Sequence, residues 1–439
     1  MKASELIDFN PWWSSGQVPL RLLEDKKREL YKEIQNLLSN KQIVSIIGLR
    51  RTGKTTLMYQ LIDHLLNGGV PEKRIMYFSF DKKVSSIKEI LQTYKQEIVM
   101  EEEISKQSYL FLDEIQKLDD WQNKIKLIYD RNLPIKFILS GSSSLTLKKN
   151  GKETLAGRNY ISKLPPLTFR EYLKLNSISY PKFTSVEKCY KETRLEEDRY
   201  ITDFHRFVNF HGLPETINMD EEVTKKYIRS SLIDQVIYKD IPANYDIEDP
   251  SVIEELLRII AERPGMLLRF ESLASDLSRT RQTISKYIFY LENSFLLKLI
   301  YNYSGSFITS AKKLKKVYFS HPCIVNTLKS SRENIGRLVE NHIINELNIE
   351  FFHRRQQKEV DALIRRDGSI LPVEIKYKKN IKNSDEKNLI DFMNKEELNE
   401  GLILTKDTFE IDGGRIFKIP SYYFLLFKER MIAHILEES

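Results

Sequence analysis

The chain has 439 residues, of which 41% are hydrophobic and 30% charged, with a formal net charge of +7. That length suits two to four globular domains. No apolar run approaches the ~20 residues that span a bilayer, and the opening MKASELIDFN has acidic residues and no apolar core, unlike a secretory signal. Cys189 and Cys323 lie far apart without a Cys/His cluster, so a disulfide framework or zinc site is not expected and a reducing cytoplasm is the natural setting.

In chain order, Asn10-Pro11-Trp12-Trp13 should pack on the core that follows, and a charged helical pattern runs through Leu22, Tyr31, Ile34 and Leu38. Ile43, Val44, Ile46 and Ile47 then read as a buried strand that ends at Gly48. The next residues, Gly48-Leu49-Arg50-Arg51-Thr52-Gly53-Lys54-Thr55, fit G-x-x-x-x-G-K-[ST], and the amphipathic segment Leu57 to Leu66 follows. Glycines in such a loop let backbone N–H groups turn inward on phosphate oxygens, and the next helix adds its positive end. Gly48, Arg51, Thr52, Gly53, Lys54, Thr55 and Thr56 are therefore the candidate ATP contacts, with Lys54 on the β/γ-phosphates and Thr55 on Mg2+.

A second strand is expected at Arg74 to Phe80 and a third at Ser108 to Leu112, ending in Asp113-Glu114. An Asp at the end of a parallel strand beside a P-loop can hold Mg2+, and the adjacent Glu can polarise the attacking water. The acidic pair thus favours hydrolysis over binding alone. A fourth strand, Ile135 to Leu139, runs into Ser140-Gly141-Ser142-Ser143-Ser144, which would approach the γ-phosphate if strands 1, 3 and 4 are neighbours. Gly157-Arg158 precedes a β-like stretch from Asn159 to Leu164. Arg158 is a surface residue, a helix C-terminal cap, or a group that steadies charge on the transferred phosphoryl.

Together GLRRTGKTT, LFLDEIQ, ILSGSSS and LAGRNYISKLPPLTFREYL resemble a family of archaeal and bacterial AAA+-like ATPases whose C-terminal domain is similar to restriction endonucleases. The resemblance implies an α/β P-loop NTPase core with a parallel sheet, at 1–165, and a helical lid at 166–247. It also implies that His211-Gly212-Leu213-Pro214 lies in that lid with Pro214 toward the nucleotide base, and that Arg158 is an arginine finger. As a finger Arg158 would need a homo-oligomer, because it would serve a neighbouring subunit.

Apolar residues recur at helical spacing from Ile253 to Leu291, and Phe270 to Leu291 reads as helix, polar turn, helix. Arg279, Arg281, Gln282, Thr283, Ser285 and Lys286 fall near the start of the second helix, where a recognition helix meets the major groove. The region 248–315 resembles a winged helix-turn-helix, with Phe295 to Tyr303 beginning the wing. From Arg263 to Lys316 there are ten Lys/Arg against three Asp/Glu, an excess of seven that equals that of the whole chain. DNA is the expected partner of so basic a region, although such folds also serve as protein-binding spacers.

In the last segment, 316–439, a helix at Ile335 to Leu347 offers Glu340, the strand Glu359 to Ile364 offers Asp361, and after the turn Asp367-Gly368 the strand Leu371 to Lys376 offers Glu374 and Lys376. Strand alternation puts Glu374 and Lys376 on one face. Converging carboxylates suit Mg2+, and an adjacent Lys can orient water. An ordinary charged hairpin gives the same spacing. The set resembles a PD-(D/E)xK nuclease site, with Asp361, Glu374 and Lys376 at its catalytic positions and Glu340, Asp361 and Glu374 as metal ligands, except that Val360 stands where that motif has Pro. Two functions follow: an ATP-hydrolysing switch that binds DNA and carries a Mg2+-dependent nuclease centre, or a regulatory signalling ATPase whose C-terminal domain is an inactive protein-binding or oligomerisation module.

Overall fold

A computed structural model describes residues 2–437 other than 83–85, 143–154, 305–309, 311–312, 330–333, 367 and 412–413. The residues fall into two units, Met1–Pro165 with Asn293–Phe295, and Pro166–Glu292 with Leu296–Ser439. Among the described residues no helix is long and apolar enough to cross a membrane.

The first unit is built on β1 (Ile43–Ile47), β2 (Ile75–Ser79), β3 (Ser108–Asp113), β4 (Ile135–Gly141) and β5 (Asn159–Lys163). They form one parallel sheet in the order β2-β3-β4-β1-β5. Every residue of β1, β2 and β4 is buried. Parallel strands covered on both faces give continuous apolar runs rather than alternation, which is why these strands are legible in the sequence. Three polar residues, Ser79, Asp113 and Ser140, lie at the C-terminal ends of β2, β3 and β4. Because β4 lies between β1 and β3, the loops after all three open on the same edge of the sheet, as expected.

The N-terminal segment closes the open side of β2. Asn10 donates to the Tyr77 carbonyl (2.9 Å) and accepts from its N–H (2.6 Å), as a strand would, and the indoles of Trp12 and Trp13 both donate to Ile75 O (3.0 and 2.8 Å). The tryptophans thus pack on this core and blunt a sheet edge.

In the second unit, Thr168 and Glu171 form a capping box on the helix Phe169–Leu175. The helices Val186–Arg194, Glu197–Phe210 and Glu221–Ile228 follow. Pro250–Glu262 begins with Pro at its first turn and Asp249 capping Ser251 N–H. It buries Ile253, Leu256, Leu257 and Ile260, and Phe270–Asp276 and Arg281–Asn293 come after it.

The sheet of this unit has seven strands: β6 (Leu297–Asn302), β7 (Lys315–Phe319), β8 (Phe351–Arg355), β9 (Lys358–Arg366), β10 (Ser369–Ile375), β11 (Gly401–Thr405) and β12 (Ile416–Pro420). Their order is β12-β11-β10-β9-β8-β6-β7. The expected hairpin is present as antiparallel β9 and β10, with Val373 opposite Ala362; Asp367 of its turn lies outside the described residues. The division expected at 315/316 does not follow the sheet, because it cuts β7 after its first residue. The strand expected to begin a separate wing, β6, pairs with β7 and also with β8 through Tyr301 and Phe351. Buried Leu297, Leu299 and Ile300 drive that joining. A local pattern cannot distinguish a free hairpin from one continued by a strand about fifty residues away.

Candidate functional site

The loop after β1 depends on two glycines. A Cβ on Gly48 would lie 2.2 Å from the carbonyl oxygen of Leu164, a backbone atom that cannot step aside. Gly53, at φ +91°, takes the left-handed conformation that starts the helix Lys54–Asn67. The first turn of that helix has no acidic residue, so its positive end is open to an anion. Lys54 is folded over the loop, its Nζ donating to the carbonyls of Gly48 (3.1 Å) and Leu49 (3.0 Å). Thr52 Oγ1 donates to Leu49 O at 2.8 Å, and Arg51 has a positive φ of 68°. Thr56 sits one residue beyond Thr55 in the first turn of the helix.

Asp113, at the end of β3, is the hub. Its Oδ2 accepts from Thr55 Oγ1 (2.7 Å) and from the Tyr77 hydroxyl (2.8 Å), and its Oδ1 accepts from Ser140 Oγ and from Glu114 N–H (3.1 Å). Burial, then the Asp113 charge, pushes the Tyr77 phenol far above its ordinary range, so Tyr77 stays a donor. Glu114 has a left-handed φ of 52°. That turn brings its carboxylate to Gln116 Nε2 and to Ser142 Oγ (3.2 Å), while Gln116 Nε2 also donates to Ser142 Oγ (3.1 Å). A Cβ on Gly141 would come within 2.8 Å of Gln116 Oε1. Of the serine cluster, Ser140 and Ser142 join this network, and Ser143 and Ser144 lie outside the described residues.

Two supporting residues escape a sequence reading. Arg28 is buried, and its guanidinium donates to Thr52 O (2.5 Å) and Pro165 O (2.8 Å), tying the loop to the segment after β5. Nothing in Lys26-Lys27-Arg28-Glu29 separates it from a solvated charge run. Gln116, in LFLDEIQ, is noticed only once the strand ends are side by side.

Arg158 lies at the other end of the sheet. Its carbonyl accepts from Ile43 N–H (2.8 Å) and its Nε donates to Asp130 Oδ1 (2.9 Å). The length of β1, roughly 15 Å at a strand's rise, separates it from its own P-loop, so this chain's Arg158 does not reach its own loop. Pro214 opens a short turn, Pro214–Thr216, in the second unit.

The C-terminal candidates do converge. Lys376 Nζ lies 2.5 Å from Glu374 Oε2 and 3.5 Å from Asp361 Oδ2, which also accepts Ile375 N–H at 2.9 Å. Lys316 and Tyr318, alternate residues on β7, approach the same group, as does Glu359, which shares a face of β9 with Asp361. Lys316 Nζ is 2.6 Å from Glu359, 3.6 Å from Glu340 and 3.9 Å from Asp361. The Tyr318 hydroxyl donates to Glu340 at 2.7 Å. Burial and then the Asp361 charge raise the Glu374 carboxyl well above its usual range. Burial alone would raise Asp361 too, but Lys376 and Lys316 bring it below its ordinary value. Asp361 therefore keeps its charge and Glu374 takes the proton first. Lys316 and Tyr318 fall inside the expected segment 316–439, but no strand was expected at Lys315–Phe319 to bring them to the acids.

The carboxylate oxygens of this centre are donors of the kind Mg2+ takes, but ammonium groups already stand among them. Among the described residues no three His, Cys, Asp or Glu side chains are grouped as a metal site. Lys316 and Lys376 stand among Glu340, Asp361 and Glu374.

On the helix Arg281–Asn293 an exposed stripe runs through Arg281, Gln282, Ser285, Lys286 and Phe289. Two of the nearby arginines face acids, Arg281 to Glu271 at 3.1 Å and Arg279 to Asp249 at 3.6 Å.

The parallel sheet with a P-loop after β1 and an Asp-Glu pair after β3 defines a P-loop ATPase centre. Residues 40–173 match the family model described as an AAA domain, which supports an AAA+-like ATPase. Residues 201–334 and 335–423 match two families described as domains of unknown function, DUF8612 and DUF4143. The chain is 26% identical over 387 residues to the uncharacterized protein MJ1544 of Methanocaldococcus jannaschii, covering 83% of this chain and 81% of that one. It is 31% identical over 316 residues to MJ1637 of the same organism, covering 67% of this chain and 63% of the relative. Among solved structures, the Aeropyrum pernix Orc1 protein in complex with DNA overlaps 72% of this chain and 95% of its own at 12% identity, with a TM-score of 0.32. An overlap that loose bears on neither ligand nor partner.

Proposed function

We propose that the chain is an ATP-hydrolysing switch whose nucleotide state is read out on DNA. The observation that carries the ATPase reading is the convergence of Thr55, Ser140 and Tyr77 on Asp113, with Glu114 beside them, at the edge where the P-loop opens. Thr55 Oγ1 and Asp113 Oδ2, hard oxygens 2.7 Å apart, suit Mg2+ and would hold it. When bound, that ion supplies neutralisation of the terminal phosphates. Lys54 leaves the carbonyls of Gly48 and Leu49 to meet the β/γ-phosphates, with Arg51, Thr52, Gly53 and Thr56 around them. Glu114 orients the attacking water and draws on its proton, while Gln116 and Ser142 set the resting position of its carboxylate.

In this reading 1–165 is the ATPase core and 166–247 a lid that carries Pro214 to the base. Region 248–315 is a winged helix-turn-helix whose hairpin is continued by the nuclease-like domain of 316–439. Arg158 acts on the nucleotide of a second copy in a homo-oligomer. ATP turnover by the full chain and by Lys54→Ala tests the ATPase reading: Lys54→Ala should lose it, and full turnover in Lys54→Ala would sink the assignment.

DNA as the partner is supported by the excess of seven positive charges between Arg263 and Lys316 and by the exposed Arg281–Phe289 stripe. The pairing of Arg279 and Arg281 with acids favours a second reading, in which the same helix docks a protein. DNA affinity measured against salt decides between them. A phosphate-contacting face gives a linear log–log loss that becomes shallower in Lys286→Ala, and no binding at low salt would leave the protein partner.

A further inference from the structure

The side chain of Lys316 is 6% exposed, yet it ends among three carboxylates, those of Glu359 (2.6 Å), Glu340 (3.6 Å) and Asp361 (3.9 Å). Its backbone is fixed from both sides, by antiparallel pairing with Ile300 of β6 and by a bridge to Leu267. The Phe352 ring lies 5.3 Å from the ammonium. Tyr318, two residues on, holds Glu340 at 2.7 Å. Gly265, at φ +81°, leaves that corner open, since a Cβ there would lie 2.9 Å from the Tyr318 ring and 3.2 Å from Glu340.

Across the group, Lys376 covers Glu374 and the second oxygen of Asp361. Both oxygens of Asp361 thus face an ammonium, Oδ1 that of Lys316 and Oδ2 that of Lys376. A divalent ion bound to Asp361 and Glu340 would sit within a few ångströms of the Lys316 charge, which is itself buried and only weakly screened by water. The carboxylates already have the charge partner that an ion would supply.

We propose that Lys316 is a built-in cation of the C-terminal centre, holding Glu340, Glu359 and Asp361 together in place of a divalent metal, so that the centre takes such an ion tightly only when the ammonium is removed. This rests on reading Asp361, Glu374 and Lys376 as a nuclease-like cation centre and is independent of the ATP site. Lys316 is a positioning residue here, and its effect is read through ion binding.

The test is titration of the nucleotide-free full chain with Mn2+, following free Mn2+ by its electron paramagnetic resonance signal. Lys316→Met should gain an Mn2+ site at least about tenfold tighter than anything in the wild type, and its melting temperature should rise with Mn2+. Lys316→Arg, which keeps the charge, should stay as weak as the wild type. Adding Asp361→Asn to Lys316→Met should abolish the gained site. A tight, Asp361-dependent site in the wild type overturns the role of Lys316 and leaves the cation centre standing. No gain in Lys316→Met overturns both. Should Lys316→Met fail to fold, Lys316→Met/Glu359→Gln, which removes both members of the tightest pair, is judged by the same outcomes.

Discussion

Arg28→Met asks whether the P-loop is held by a residue outside its motif. The guanidinium donates to two backbone carbonyls, Thr52 O at 2.5 Å and Pro165 O at 2.8 Å, and is itself buried. Hydrogen bonds from a charged donor contribute about 1.5–3 kcal/mol each. Two of them come to about 3–6 kcal/mol, and water entering the space left by the shorter side chain recovers part of that. The expected loss is therefore about 3 kcal/mol. Thr52 O belongs to the peptide that leads into Gly53, so releasing it also loosens the loop, and ATP affinity should fall by about tenfold, or ~1.4 kcal/mol. Arg28→Lys should fall between the two, since an ammonium lacks the fork that spans both carbonyls. Urea unfolding and nucleotide titration on the same samples measure both effects. Stability within about 0.5 kcal/mol of the wild type, together with unchanged ATP affinity, would refute the argument that Arg28 fixes the loop.

Two further predictions concern the second unit. Gly265→Ala forces a Cβ onto a residue at φ +81° and against Tyr318 and Glu340, so it should destabilise by about 1–3 kcal/mol in thermal or urea unfolding; a neutral result would contradict the packing described at that corner. Glu346 is buried between Lys428 (3.1 Å), His342 (2.7 Å) and Phe169 N–H (3.0 Å). Burial opposes its ionisation, but Lys428 and His342 lower its carboxyl from 4.5 to about 2. A depressed carboxyl stabilises above its unfolded pKa and loses that contribution as pH falls through the folded value. Stability should accordingly drop by about 3 kcal/mol between roughly pH 4.5 and pH 2. Glu346→Gln should flatten that part of the profile, and an unchanged acid limb would show that other carboxylates set it.

Where the sequence was legible, one local cause was at work. The strands around the nucleotide centre are buried on both faces, so Ile43–Ile47 and Ser108–Asp113 stand out as apolar runs, and the loop motif follows from what backbone must do near phosphates. Glu374 and Lys376 were legible because strand alternation puts them on one face, and Asp361 joins them through the β9–β10 hairpin register. Arg28 and Gln116 were not, since their roles depend on strand ends that meet only in the folded sheet. Lys316 was not legible because its strand, β7, reaches the acids only through β6, which pairs with β7 and, at Tyr301 and Phe351, with β8. Lys376 was foreseen beside the C-terminal acids, whereas Lys316 was not, as it comes from a strand some forty residues upstream of Asp361.

The central claim, that Asp113 and Glu114 organise hydrolysis at the P-loop, is met most directly by Glu114→Gln. That substitution keeps the shape of the side chain and its contacts with Gln116 and Ser142 while removing the charge that draws on the water. ATP turnover of the full chain should fall by about 10²–10⁴-fold with ATP binding retained. Turnover within about twofold of the wild type, far from the loss of a general base, would contradict the account.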